Sequence, residues 1–114
     1  MGAPAAGTIV LVPFPFSDLS QAKLRPALVL AHASHEDIIL AQITSRSYAD
    51  ANAVEVAEQD FLFGTLSVTS FVRPSKLFTA HQSLVKAEIG KLKPHIFIAI
   101  IKRVTAIFNA NAGV

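Results

Sequence analysis

Hydrophobic positions fall in short, β-branched runs over the first three quarters of the chain. They then change period. Thr8–Val12, Pro26–Ala31 and Ile38–Thr44 are apolar blocks bounded by polar or proline-containing segments, the pattern of strands. His32–Asp37 reads as the hairpin connection between the second and third of these, and Arg46–Ala53 as a loop. Val54–Val56 reads as a short strand, with Glu58–Asp60 starting a turn or a single helical turn. Ser70–Val72, Lys76–Thr79 and Leu84–Glu88 read as further strands, and Gly90 as a turn residue. From Pro94 onward Ile96, Phe97, Ile100, Ile101, Val104, Ile107 and Phe108 recur at helical spacing. Pro94 suits the first position of that helix, which is expected to run to about Phe108. Many short strands and one amphipathic helix predict a mainly β protein: a small, strongly curved sheet or barrel with a C-terminal helix packed on it.

At 114 residues, with no repeat, linker or low-complexity stretch, the expectation is a single domain over residues 1–114. Hydrophobic residues make up 52% and charged residues 16%, an apolar balance that suits a tight β core or a core-like subunit interface. A net charge of +2 permits nucleic-acid binding without demanding it. The absence of cysteine excludes disulfides, thiolate metal sites and cysteine nucleophiles, and suits a reducing cytoplasm. The opening MGAPAAG has neither a basic nor an apolar leader region, and no run approaches the roughly 20 apolar residues of a membrane span, so no membrane partner is expected.

The chemistry concentrates between Gly7 and Arg46. A loop carrying Pro13, Phe14, Pro15, Phe16, Ser17 and Asp18 separates two strands. The second strand opens with Arg25-Pro26, and the third ends in Thr44-Ser45-Arg46. An arginine, a hydroxyl and a second arginine at strand ends beside one loop can seat a phosphate. Phe14 or Phe16 can stack on an unpaired base or cap the core, and Asp18 can accept a hydrogen bond from a base edge or form a turn. His32 and His35 lack further ligands for a metal site, the carboxylates form no recognisable pair, and no phosphate-loop or nucleophile-elbow motif is present. No cofactor is expected.

The ordered set Gly7-IVLVPFPFSDL, Arg25-Pro26-ALVL, Ile43-Thr44-Ser45, Gly64 through SFVRPSKLFT to Ser83-Leu84, and Gly90-Lys91-Leu92 resembles the MazF/PemK-type toxins of bacterial type II toxin–antitoxin systems, from about Gly7 to Phe108. The resemblance implies an SH3-like small β barrel and a homodimer. It also implies a metal-independent endoribonuclease that cleaves single-stranded RNA and is neutralised by a cognate antitoxin. Arg25 and Thr44 match the family's catalytic residues. Phe16, Asp18, Lys23, Ser45, Arg46, Arg73, Ser75, Lys76 and His81 are the expected RNA-binding set, and His81 is by residue type either a general acid or base or a solvated loop histidine. The chain departs from the family at Ser75, where some members carry an acid, and at Phe78, where some carry an arginine. Two alternatives therefore stay open: a weakened member that binds RNA or antitoxin without cutting, and a gyrase-poisoning toxin on the same scaffold.

Overall fold

A computed structural model describes residues 2–14, 23–47 and 49–113, with Phe14 described by its backbone alone. The strands are β1 (Thr8–Phe14), β2 (Lys23–His32), β3 (Asp37–Thr44), β4 (Val54–Val56), β5 (Phe61–Gly64), β6 (Ser70–His81) and β7 (Ala87–Leu92). A helix, α1 (Pro94–Asn111), follows. Single 3₁₀ turns lie at Glu58–Asp60 and Gln82–Leu84.

Every strand pairing is antiparallel, in the order β4-β6-β3-β2-β1-β7-β5. Laid flat, the edge strands β4 and β5 would stand roughly 29 Å apart, at about 4.8 Å per strand. The chain joins them through residues 57–60 alone, a span of at most about 18 Å. The sheet must therefore curl until its two edges approach each other. Val56 of one edge and Phe61 of the other accordingly share one core cluster with Ile9, Leu28, Ile43 and Val72. The short link is held by Asp60, whose carboxylate accepts from the Ala57 N–H at 2.8 Å. The Lys93 N–H donates to Asp60 O at 2.9 Å, tying the start of the helix to the same turn. This is the curved, mainly β half-barrel with a C-terminal helix that the sequence predicts.

The three-strand centre is buried on both faces. Ile9, Leu28, Ala41 and Ile43 face the cluster that α1 covers with Ile100 and Val104. Val10, Val12, Ala27, Val29, Ile38 and Leu40 form a second cluster on the other side. Burial on both sides explains why these strands read as continuous apolar runs and not as alternating ones. It also accounts for much of the apolar composition without any subunit interface. Each fully buried aliphatic side chain contributes roughly 1.5–3 kcal/mol.

Four sequence expectations are corrected. The segments Ser70–Val72 and Lys76–Thr79 belong to one strand, β6, interrupted by a bulge. Arg73 pairs with Gln42 and Leu77 with Ala41, so Pro74, Ser75 and Lys76 have no partners in β3. Pro74, with no N–H to give the ladder, is buried there. The strand expected at Leu84–Glu88 is Ala87–Leu92, with Leu84 in a 3₁₀ turn. Gly90 lies inside that strand and makes no turn: a Cβ there would sit 2.9 Å from the Phe61 ring. Finally, β2 starts at Lys23, before Pro26. The proline is tolerated inside the strand because pairing with β3 begins only at Ala27. The strand Phe61–Gly64 has no counterpart in the sequence reading.

Candidate functional site

The strand ends singled out in the sequence converge. Arg25 sits on β2 opposite Val12 of β1. Thr44 closes β3 opposite Phe71 of β6. Both line a cavity of about 630 Å³, together with Ser45 and Arg46. Its lining also includes the aliphatic Leu11, Pro26, Ile43 and Ile89, and the segment Thr65–Val68 with Ser70. Arg25 and Arg46 are its cationic groups among the described residues, and its described lining has no carboxylate or imidazole.

The local geometry prepares donors. The Arg46 N–H donates to Thr44 Oγ1 at 3.2 Å. The threonine oxygen is thus used as an acceptor and its own O–H stays available to donate outward. Among the described residues, neither Arg25 nor Arg46 forms an ion pair. An unpaired, exposed guanidinium presents a planar fork that matches two oxygens of a phosphate. The cavity therefore offers two guanidinium groups and a free Thr44 O–H as donors.

The other expected RNA-binding residues are placed differently. Lys23 opens β2, exposed, opposite Phe14 and outside the cavity lining. Ser75 and Lys76 are exposed on the β6 bulge, also outside it. Arg73 is turned to Asp50, with Nε donating to Oδ2 at 3.1 Å. Asp50 also accepts from the Asn52 N–H at 2.9 Å. That amide first, and the Arg73 guanidinium second, hold the Asp50 carboxyl below the usual carboxylate range. His81 lines a separate hollow of about 300 Å³ with Glu36, Gln82, Ser83 and Glu88. Its Nδ1 accepts from the Ser83 N–H at 3.1 Å, and its Nε2 lies 3.9 Å from Glu36. Phe16 and Asp18 lie outside the described residues. Among the described residues, no three His, Asp or Glu side chains gather closely enough to hold a metal ion.

The sequence reading missed the Thr65–Ser70 wall. A signal was present in the run Thr65-Leu-Ser-Val-Thr-Ser70 after Gly64, dense in hydroxyls and free of charge.

The family model described as "PemK-like, MazF-like toxin of type II toxin-antitoxin system" matches residues 5–108. The chain belongs to that family. No curated protein sequence matches it. Among solved structures, a MazE-MazF complex from Deinococcus radiodurans is similar at a TM-score of 0.76 and 18% identity, over 96% of this chain and 98% of that one. An endoribonuclease in complex with its cognate antitoxin from a mycobacterial species is similar at 0.72 and 15%, over 96% of each chain. The Mycobacterium tuberculosis toxin MazF-mt6 is similar at 0.70 and 21%, over 90% of this chain and 96% of that one. At such identities the likeness concerns the fold. This PemK-like chain keeps the curled sheet and closing helix with few residues in common. No helix among its described residues is long and apolar enough to cross a membrane.

Proposed function

We propose that this PemK-like toxin is an endoribonuclease acting on single-stranded RNA in the cytoplasm, with an antitoxin as its neutralising partner. The observation that carries the reading is the meeting of Arg25, Thr44 and Arg46, from two strand ends, in one cavity. The structural neighbours include an endoribonuclease bound to its cognate antitoxin, which supports the same activity and the same class of partner.

In the proposed reaction the RNA 2′-oxygen attacks the adjacent phosphorus. The 2′-O–P bond forms, the P–O5′ bond breaks, and a proton lost from the 2′-hydroxyl is matched by one gained at the 5′-oxygen. Negative charge builds on the non-bridging oxygens. Arg25 holds two of them through its fork, and the Thr44 O–H donates to the same phosphate. Arg46 neutralises a neighbouring phosphate. The cavity's described residues therefore act by stabilising developing charge. The cationic donors offset this negative charge themselves, so the reaction is proposed to need no metal.

We further propose a homodimer. Leu24, Leu62 and Phe63 are all more than half exposed, and Leu24 adjoins the cavity-lining Arg25. Apolar side chains around a polar cavity suit a covering partner.

Incubation with a long unstructured RNA in excess chelator should give discrete fragments ending in a 2′,3′-cyclic phosphate and a 5′-hydroxyl. Cutting that appears only with added magnesium overturns the metal-free mechanism. Binding without cutting selects the weakened alternative that Ser75 and Phe78 raise. RNA left intact while purified gyrase is inhibited selects the other.

A further inference from the structure

The cavity is lined by two sets of residues that differ in chemistry. One carries both cations and Thr44. The other, Thr65–Val68, is uncharged and alternates hydroxyl and aliphatic side chains. Phosphate contacts fix where an RNA lies but carry no sequence information, which is read from base edges by hydrogen bonds and apolar contact. The charged side can do the first task. The neutral side has the groups for the second.

The neutral side is also held in place at both ends. Gly64, where the segment leaves β5, has φ +71°, and a Cβ there would collide with the Ile89 carbonyl oxygen. That position admits only glycine without displacing β7. At the other end Ser70 is buried, and its hydroxyl donates to the Val68 carbonyl at 3.0 Å. Between them Leu66 packs against the main core cluster, and the Thr65 hydroxyl donates to the Leu66 carbonyl at 2.9 Å. Thr65 Oγ1 is thereby left as an acceptor. Ser67 is exposed and makes no hydrogen bond with other described residues, so its hydroxyl can donate or accept. Val68 is 58% exposed on the cavity wall, an apolar contact that the core does not use.

We propose that Thr65–Val68 is the base-reading wall of this site. Ser67 and the Thr65 oxygen would hydrogen-bond the edge of the nucleotide beside the scissile phosphate, and Val68 would lie against its ring. This inference rests on the RNA-cleaving reading and adds to it the residues that choose the cut site.

The test uses the full-length protein with Ser67→Ala and Val68→Ala. Both positions are exposed, and unchanged melting temperatures will show that both variants fold. Cut sites are mapped by sequencing the ends produced from a randomised RNA pool. Ser67→Ala should slow cutting at the preferred site by about three- to tenfold, the loss of one neutral hydrogen bond. It should leave disfavoured sites unchanged, so that preference at one nucleotide beside the cut relaxes. A variant that slows all sites equally, or keeps the wild-type preference, overturns the inference. Affinities of short RNAs differing at that nucleotide are measured in parallel. If the wild type discriminates among them without cutting, the cleavage reading falls, and loss of that discrimination in Ser67→Ala still supports the wall. Equal discrimination by wild type and variant overturns it.

Discussion

Arg25 and Arg73 both lie on strands of the same curled sheet, and both were expected in the site, Arg25 as catalytic and Arg73 among the RNA-binding residues. The fold treats them in opposite ways. Arg73 is largely covered, with its side chain 18% exposed, and is paired with Asp50, whose side chain is 9% exposed. Arg25 is exposed on the cavity wall and makes no ion pair among the described residues. A guanidinium paired with a carboxylate has its charge offset within the fold, whereas one without an ion pair can offer its charge and its fork to a substrate. Arg25 therefore belongs to the proposed chemistry. Arg73 belongs to the loop that carries Asp50, which it ties back to β6.

The largest expected effect tests the Arg25 side. Removing one preorganised donor from a developing oxyanion typically costs about 10²–10³ in rate. Arg25→Ala should lose RNA cleavage by that factor. Arg25→Lys, which keeps the charge and loses the fork, should be impaired less. Neither should shift the melting temperature, because an exposed, unpaired side chain contributes little to the core. A variant with wild-type cleavage per folded molecule and a lowered melting temperature would put Arg25 in the same class as Arg73 and end the comparison.

These two arginines also show what the sequence made legible. Arg25 and Thr44 were readable because each sits at the end of a strand whose apolar run is unmistakable. Short-range pattern was enough to place them, and the family resemblance gave them a role. The fate of Arg73 was hidden because its partner lies 23 residues away, across a loop whose path no periodicity reports. The Thr65–Val68 wall was hidden for the same reason: it joins Arg25 only through the long-range pairing of β5 with β7 and β7 with β1. Phe61–Gly64 was missed because four residues, three of them exposed, show no alternation. Curling of the sheet was expected from the many short strands and the single helix, and the resemblance sharpened it to a small barrel. Its cause, the four-residue link between edge strands, appears once the strand order is known.

The second effect tests the Arg73 side. A hydrogen bond to a charged group contributes about 1.5–3 kcal/mol. Asp50→Ala removes the acceptor for both Arg73 and Asn52 and should reach the upper part of that range in denaturant unfolding. Arg73→Met leaves Asp50 its bond from the Asn52 amide and should cost less. Cleavage per folded molecule should stay near wild type in both. A loss of rate as large as that of Arg25→Ala, at unchanged stability, would move Arg73 into the RNA-binding set.

The smallest effect is in acid. The Asp50 carboxyl is held below its ordinary value of 3.8, first by the Asn52 amide and then by Arg73. A carboxyl whose folded pKa is depressed contributes stability that is fully present above the unfolded pKa and is lost as pH falls toward the folded one. The contribution should therefore be constant from about pH 5 upward and should fade below about pH 4. Unfolding free energies measured from pH 7 to pH 2.5 should show the gap between wild type and Asp50→Asn narrowing in that acid window. Arg73→Met should keep a smaller version of the wild-type slope, because the Asn52 amide, the larger cause, is intact. Arg25→Met should run parallel to wild type throughout, since no described carboxylate depends on Arg25. If the Asp50→Asn gap stays constant down to pH 2.5, Asp50 is not the carboxyl that couples this loop to pH. If Arg25→Met flattens the acid slope, Arg25 has a structural carboxylate partner, and its fork is not free for a phosphate.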